Sequence, residues 1–159
     1  MPDIQIIRAK TPEDINTVRS IFLEYITFIE GYLDHSLNFQ NTAEEFSNFP
    51  SVYKTLLLAK LDDNPVAACA LKELPDNTCE LKRLYCKPSG RGHKIGKELV
   101  IRAIKDAKEI GYKKMYLDTD KGLKHANSIY EGLNFKDTDS YYANPMAETR
   151  YMSLILCVS

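Results

Sequence analysis

The stretch Tyr85-Cys86-Lys87-Pro88-Ser89-Gly90-Arg91-Gly92-His93-Lys94-Ile95-Gly96 decides how the chain is read. An apolar strand stops at Cys86, Pro88 breaks it, and Gly90, Gly92 and Gly96 lead into a helix. A strand that hands over to glycines and a helix start builds a site for phosphate. The first N–H groups of a helix have no intrahelical acceptor and lie at the positive end of the macrodipole. Glycine lets the backbone approach a bulky anion where a Cβ would collide. The same residues also read as a surface turn ahead of an amphipathic helix, and on this stretch alone both readings stay open.

Spacing narrows the ligand. A Walker loop separates two glycines by four residues and follows with Lys-Ser or Lys-Thr. Here five residues separate Gly90 from Gly96, and Glu98 follows Lys97 where a magnesium-binding hydroxyl belongs. The dinucleotide fingerprint fails as well, because Gly90, Gly92 and Gly96 are one residue too widely spread.

The 159 residues are 44% apolar and 27% charged, which suits a single domain over 1–159 with a buried core. A formal net charge of −1 gives no general attraction to nucleic acid or an anionic membrane, so an anion site has to be local. Lys82, Arg83, Lys87, Arg91, Lys94 and Lys97 gather around the loop, either for a phosphate or as a solvated charged face. Cys69, Cys79, Cys86 and Cys157 lie in or beside apolar runs without the close pairing of a zinc site. Buried reduced thiols in a cytoplasmic protein account for them. No run reaches the roughly 18 apolar residues of a membrane helix, and Met1-Pro2-Asp3 lacks the basic and apolar regions of an export signal.

Ile4 to Arg8 reads as a first strand. Thr11-Pro12-Glu13-Asp14 starts a helix, with a hydroxyl cap, Pro at the first position and acids in the first turn. Ile15, Val18, Phe22, Tyr25, Ile26 and Ile29 recur at helical spacing as far as Gly31, and a short second helix is expected around Thr42 to Phe49. Thr55 to Leu61, Val66 to Glu73 and Cys79 to Cys86 form an antiparallel meander. Ile95, Leu99, Val100, Ala103, Ile104 and Ala107 mark a helix capped by Gly111. Met115 to Thr119 is a strand, Leu123 to Leu133 a helix, and strands from Phe135 and from Tyr151 to Val158 close the sheet. This order predicts one α/β sandwich, a mixed sheet of about seven strands with helices on both faces.

The element order and the loop resemble the GNAT superfamily of acyl-CoA N-acyltransferases. The family loop reads Arg/Gln-x-x-Gly-x-Gly/Ala after a strand and a Pro-containing turn. Arg91, Ile95 and Gly96 match it, and Lys94 stands where the family has Gly. Asn127 to Phe135 looks like the second family signature, a helix running into Tyr-x-x-Leu-Gly-Phe. Tyr130, Leu133 and Phe135 match, and Asn134 replaces the Gly with the residue that best tolerates a left-handed helix end. Ser140-Tyr141-Tyr142-Ala143-Asn144-Pro145 resembles the Pro-Tyr-Tyr-x-Asn-Pro segment of a bacterial subgroup, with Ser140 in place of Pro.

The resemblance implies acetyl-CoA as co-substrate, no metal, and a sheet that splays between the fourth and fifth strands. It assigns pantetheine to backbone groups of Leu84, Tyr85 and Cys86. It assigns pyrophosphate to the amides of Gly92, His93, Lys94, Ile95, Gly96 and Lys97, with Arg91 and Asn127 also on the cofactor side. A left-handed Lys94 would cost roughly 1 kcal/mol or more, with its ammonium near phosphate as compensation. Tyr130 matches the family tyrosine beside the CoA sulfur, where a phenol can donate a proton; its other reading is a core aromatic. Glu80 occupies a position some relatives use for a general base, and it reads equally as a cross-strand ion-pair partner. Strict alternation puts Glu80 with Lys82 and Leu84, opposite Arg83 and Tyr85.

The function expected from the resemblance is acetyl-CoA-dependent N-acetyl transfer to a primary amine of a small molecule or peptide, by direct attack in a ternary complex. The enzyme is expected as a monomer or homodimer. A second reading is a non-catalytic acyl-CoA-binding sensor or regulatory module, because fold does not fix function. Tyr32, Asp34, Tyr141 and Tyr142 would suit a small polar or cationic acceptor, and each reads equally as packing.

Overall fold

The computed structural model describes residues 2–33, 45–142 and 147–156. Strand β1 (Ile4–Arg8) leads to helix α1 (Pro12–Leu33) and then to the meander β2 (Thr55–Leu61), β3 (Asn64–Leu74) and β4 (Thr78–Cys86). Helix α2 (Ile95–Ile110), β5 (Lys114–Asp120), α3 (Lys124–Gly132), β6 (Lys136–Asp137) and β7 (Thr149–Ile155) follow. The strands form a seven-stranded sheet in the order β1-β2-β3-β4-β5-β7-β6. Among the described residues only β4 and β5 pair in parallel. The expected α/β architecture is therefore present, with a mixed sheet and a helical layer on each face.

Local chemistry explains the boundaries. Thr11 Oγ1 accepts the Asp14 amide at 3.1 Å and opens α1 at Pro12. Gly111, with φ 106°, closes α2 by donating its amide to the Ala107 and Lys108 carbonyls. Asp62 and Asp63 both have positive φ, giving the two-residue turn between paired Leu61 and Asn64 the hand that suits twisted strands. Of the short helix expected around Thr42 to Phe49, residues 45–47 form a helical turn, and 42–44 lie outside the described residues. The last strand begins at Thr149 because β7 pairs β5 up to Asp120↔Thr149.

Alternation along β2 sorts the core into two. Leu56 and Leu58 face α1, where Val18, Ile21 and Phe22 meet them with Ala68 and Ala70. Leu57 and Ala59 face the other way, toward Leu99, Val100, Ala103 and Ala107 of α2. Cys69, Cys79, Leu81, Met115, Leu117 and Met152 complete that second core. No described helix is long and apolar enough to cross a membrane.

Strict alternation fails in β4, and the expected side assignment of Leu84 and Tyr85 is corrected. Ala70 pairs with Lys82 and Ala68 with Tyr85, so Arg83 and Leu84 together oppose Cys69. This is a β-bulge, with Arg83 in the left-handed region at φ 59°. One extra residue reverses the parity beyond it. Leu84 and Cys86 pack with Leu81 on the α2 side, and Tyr85 joins the α1 core.

A buried carboxylate ties α2 to the edge strand. Asp106, only 1% exposed, accepts Arg8 Nε and Nη2 at 3.1 Å and Arg102 Nε at 3.1 Å, while Arg102 also donates to the Ile6 carbonyl. Burial alone would raise the Asp106 carboxyl, but the hydrogen bonds from Arg8 and Arg102 outweigh it and hold the group below its ordinary value. Asp106→Asn is expected to destabilise the fold by about 1.5–3 kcal/mol at neutral pH. A depressed folded-state pKa means that this difference is present above the unfolded value of about 3.9 and is lost as pH falls through the folded value. Denaturant unfolding of both proteins across the acid range checks it.

Candidate active site

Two parallel strands part company at the centre of the sheet. β4 and β5 pair only at Thr78↔Lys114, Cys79↔Met115 and Glu80↔Tyr116, although the strands run on to Cys86 and Asp120. Beyond Glu80 a cleft of about 1800 Å³ opens between them, roofed by α1 residues Tyr25 and Phe28 and by the starts of α2 and α3. Pockets for one drug-sized ligand are roughly 300–1,000 Å³, so this cleft has room for two substrates side by side.

The glycine loop forms the wide end. Pro88–Gly90 is a single 3₁₀ turn, and a Cβ on Gly90 would lie 2.8 Å from Val66 Cβ and 3.1 Å from Cys86 Sγ, so only glycine packs there. Gly92 (φ 90°) and Lys94 (φ 59°) are both left-handed. Lys94 is the N-cap of α2, with no side-chain hydrogen bond to the helix amides. The first backbone bond into the helix runs from the Glu98 amide to the Lys94 carbonyl at 3.1 Å, and the amides from Gly92 to Lys97 find no backbone acceptor among the described residues. Every residue from Gly90 to Lys97 except His93 lines the cleft. Arg91 is held from two sides, donating Nε to the Cys86 carbonyl at 3.3 Å and lying 5.4 Å from the Phe28 ring centroid.

Tyr130 reaches the cleft from α3. The residue is 6% exposed, and its ring meets Phe135 edge-on at 5.8 Å. It is thus both a core aromatic and a cleft-lining phenol. Burial pushes its pKa well above the ordinary phenol range, and Tyr25, Cys69 and Asp118 push the same way. Asn127 lies buried one turn earlier, accepting Thr119 Oγ1 at 2.9 Å and donating to the Asp120 carbonyl at 3.1 Å. Its amide therefore fastens α3 to the end of β5, and Asn127 is not among the cleft-lining residues. Asn134, with φ 74°, takes up the left-handed conformation at the end of α3 that the second signature demands.

Glu80 sits at the vertex of the fork. It is 4% exposed and accepts the Tyr141 hydroxyl at 2.5 Å. Its cross-strand neighbours are Lys72 and Tyr116, while the ammonium nearest to it belongs to Lys82 on its own strand, 3.9 Å away. Burial raises the Glu80 carboxyl; Lys82 opposes this, Asp118 reinforces it, and the net shift is upward.

Several wall residues escape a motif-based reading. Asp118 accepts the Tyr142 hydroxyl at 2.7 Å, and Tyr141 packs on Tyr116, Tyr142 and Tyr151 at centroid distances of 4.7, 5.2 and 6.0 Å. The alternation Lys114-Met115-Tyr116-Leu117-Asp118 carries the signal for this face, since Met115 and Leu117 belong to the α2 core. Tyr25, counted by helical spacing with the core, lines the cleft and packs on Tyr85 at 5.5 Å. Leu84, Tyr85 and Cys86 all line the cleft as well. Cys69 and Cys79 are fully buried, and burial pushes the Cys79 thiol up to about 12. Asp34, Ala143 to Pro145, Cys157 and the side chain of Tyr32 lie outside the described residues.

Comparison with known proteins agrees with this geometry. The pattern of the acetyltransferase (GNAT) family matches residues 16–135. An uncharacterised N-acetyltransferase of Schizosaccharomyces pombe is 34% identical over 158 residues, covering 96% of this chain and 94% of that protein. A crystal structure of a GNAT acetyltransferase from Staphylococcus aureus superposes with a TM-score of 0.79 at 19% identity, covering 98% of this chain and 100% of that one. The PaiA N-acetyltransferase of Thermoplasma acidophilum, solved with coenzyme A, gives a TM-score of 0.72 at 23% identity over 96% of this chain and 99% of its own. A parallel pair that forks beside a glycine loop, in a sequence matched over most of its length by one family, makes this chain a member of the GNAT acetyltransferases.

Proposed function

We propose that this protein is an acetyl-CoA-dependent N-acetyltransferase that moves an acetyl group to a primary amine of a small molecule or peptide, by direct attack in a ternary complex. The observation that carries the reading is the fork itself, with the buried carboxylate of Glu80 at its vertex and the phenol of Tyr130 on the wall above. A relative of the same fold holds coenzyme A, and the free amides from Gly92 to Lys97 suit its pyrophosphate without a metal ion. The backbone of Leu84, Tyr85 and Cys86 offers the cleft wall for pantetheine, and Asn127 serves the site by holding α3 in place.

The described thiols support direct attack. A nucleophilic cysteine needs a lowered pKa, whereas burial raises Cys69, Cys79 and Cys86 alike. With no activated thiol among the described residues, the amine is proposed to attack the thioester itself. Glu80 takes a proton from the incoming ammonium, directly or through water; Tyr130 gives a hydrogen bond and then a proton to the departing sulfur. The acceptor side carries Glu80, Asp118, Tyr116, Tyr141 and Tyr142, with Lys82 beside Glu80, and its carboxylates and tyrosines suit a small cationic amine.

Free-thiol release from acetyl-CoA with a panel of amines tests the reading. Tyr130→Phe keeps the ring and removes the hydroxyl, so acetyl-CoA affinity should hold while kcat and kcat/KM fall together by roughly ten- to a thousand-fold. Full turnover in that variant removes Tyr130 from the chemistry, and no thiol release by the wild type with any amine leaves a binding module.

Burial favours the neutral acid of Glu80, so the acidic limb of kcat/KM should lie above the ordinary carboxylate value of about 4.3. Glu80→Gln should abolish that limb and lower turnover roughly 10²–10⁴-fold. A pH–rate profile that keeps its acidic limb in the variant assigns the base elsewhere.

Lys94 separates strain from charge. Lys94→Gly should stabilise the free protein by about 1 kcal/mol by relieving the left-handed backbone. Lys94→Met keeps that strain and drops the ammonium. Both should weaken acetyl-CoA binding roughly two- to five-fold and flatten its salt dependence. Unchanged affinity in the Met variant, read by calorimetry, means that the ammonium does not serve the phosphates.

A further inference from the structure

Arg83 is an unusual residue for the place it occupies. It is the left-handed member of the β4 bulge, where glycine is the ordinary choice because a Cβ is strained at φ 59°. The bulge falls three residues beyond the last β4–β5 pair, on the open wall of the cleft. The guanidinium supplies the reason for an arginine. Its Nη2 donates to Glu45 Oε1 at 2.5 Å, and its Nε lies 3.1 and 3.3 Å from the two Glu45 oxygens. The side chains are 14% and 8% exposed, so water does little to screen the pair.

The carboxylate is held in turn. The Tyr53 hydroxyl donates to Glu45 Oε2. The Tyr53 ring packs edge-on against Phe22 of α1 and against Phe49, with centroids 6.0 Å apart in each case. Glu45, Tyr53 and Phe49 belong to the segment before β2, thirty-eight residues upstream of Arg83 in the case of Glu45. The chain thus anchors the bulge to the α1 core through one buried ion pair. Nothing in the phosphate loop takes part.

The bulge determines which face of the sheet each later β4 residue takes. By adding one residue it turns Tyr85 toward Tyr25 and Phe28 and turns Leu84 and Cys86 toward α2. A ladder without it would reverse all three. We propose that the Glu45–Arg83 pair, closed by Tyr53, is a positioning device for acyl transfer: it holds the β4 bulge so that the backbone at Leu84 and Tyr85 presents to the thioester in the reactive geometry. The proposal rests on the acetyltransferase reading above and adds a role for residues outside the loop and outside the acid–base pair.

Arg83→Gly and Glu45→Gln test it. Glycine accepts the left-handed conformation without strain, so Arg83→Gly folds with its bulge free of its anchor. Glu45→Gln keeps the shape and leaves the guanidinium without its counter-charge. Both should lower kcat roughly ten- to a hundred-fold, the effect of small misplacement at a reacting centre. The acetyl-CoA dissociation constant, measured by calorimetry, should stay within about three-fold because the phosphate loop is untouched. Arg83→Lys, which keeps the charge and loses the fork, should recover part of the lost kcat.

A purely structural pair would lower the melting temperature and leave kcat per folded molecule unchanged, and that result overturns the proposal. So does a parallel loss of acetyl-CoA affinity with kcat intact. Wild-type protein that releases no thiol with any amine overturns the acetyltransferase reading and this proposal together. Normal wild-type turnover with normal turnover in both variants overturns the clamp alone.

Discussion

Parallel strands that stop bonding in mid-sheet leave backbone donors and acceptors with no partner, and an unpaired buried peptide group is costly. β4 and β5 do this after Glu80 and Tyr116 while each stays paired along its other edge. β7 pairs β5 along its whole length, from Lys114↔Ile155 to Asp120↔Thr149, and β3 follows β4 as far as Cys86. The inner edges are then free to face a ligand instead of each other. Everything the site uses is arranged around this fork. The glycine loop closes its wide end, Glu80 marks its vertex, and α3 is fastened to the end of β5 through Asn127 so that Tyr130 overlooks the gap.

The net charge of −1 conceals a strong local asymmetry. At the loop, Arg91, Lys94 and Lys97 add to the helix amides and dipole, where phosphate charge would be met. At the fork, Glu80 and Asp118 face the tyrosines of β5 and of residues 141–142. Lys82 lies beside Glu80 at this end, and Arg83 on the same wall is neutralised in place by Glu45. One end of the cleft is thus cationic, and the other adds carboxylates and tyrosines that can receive an amine. That is the polarity expected where a phosphorylated donor meets an amine.

How much of this was legible depended on the range of the interaction. Thr11, Pro12 and Gly111 announce helix ends because capping is local, and the periodicity of α2 shows directly which face is buried. Gly92 could be read for the same reason: positive φ is a property of one residue. Lys94 and Asn134 were legible only by noticing where glycine was missing. The bulge was not legible, since Arg83 gives no hint of left-handed backbone, and its partner Glu45 is distant in sequence. One unseen insertion was enough to misplace Leu84 and Tyr85 by a whole face of the sheet. The Tyr141–Glu80 bond joins β4 to a segment beyond α3, and no pattern of spacing encodes it.

Burial moves both proposed proton-transfer groups in the same direction, and the consequences for them are opposite. A carboxyl raised by desolvation becomes a stronger base once ionised, so the environment that makes Glu80 harder to ionise also makes it better at taking a proton from an amine. A phenol raised by desolvation holds its proton more tightly, and Tyr130 stays neutral throughout the working range. A neutral phenol can donate a hydrogen bond to sulfur before any charge has moved, which a phenolate could not. It surrenders the proton only as the carbon–sulfur bond breaks and the sulfur becomes basic. The buried phenolate left behind is unfavourable, and a proton arriving from the newly formed ammonium relieves it. On this account Tyr130 passes a proton through the site rather than storing a charge there, which is the role a low-dielectric wall permits.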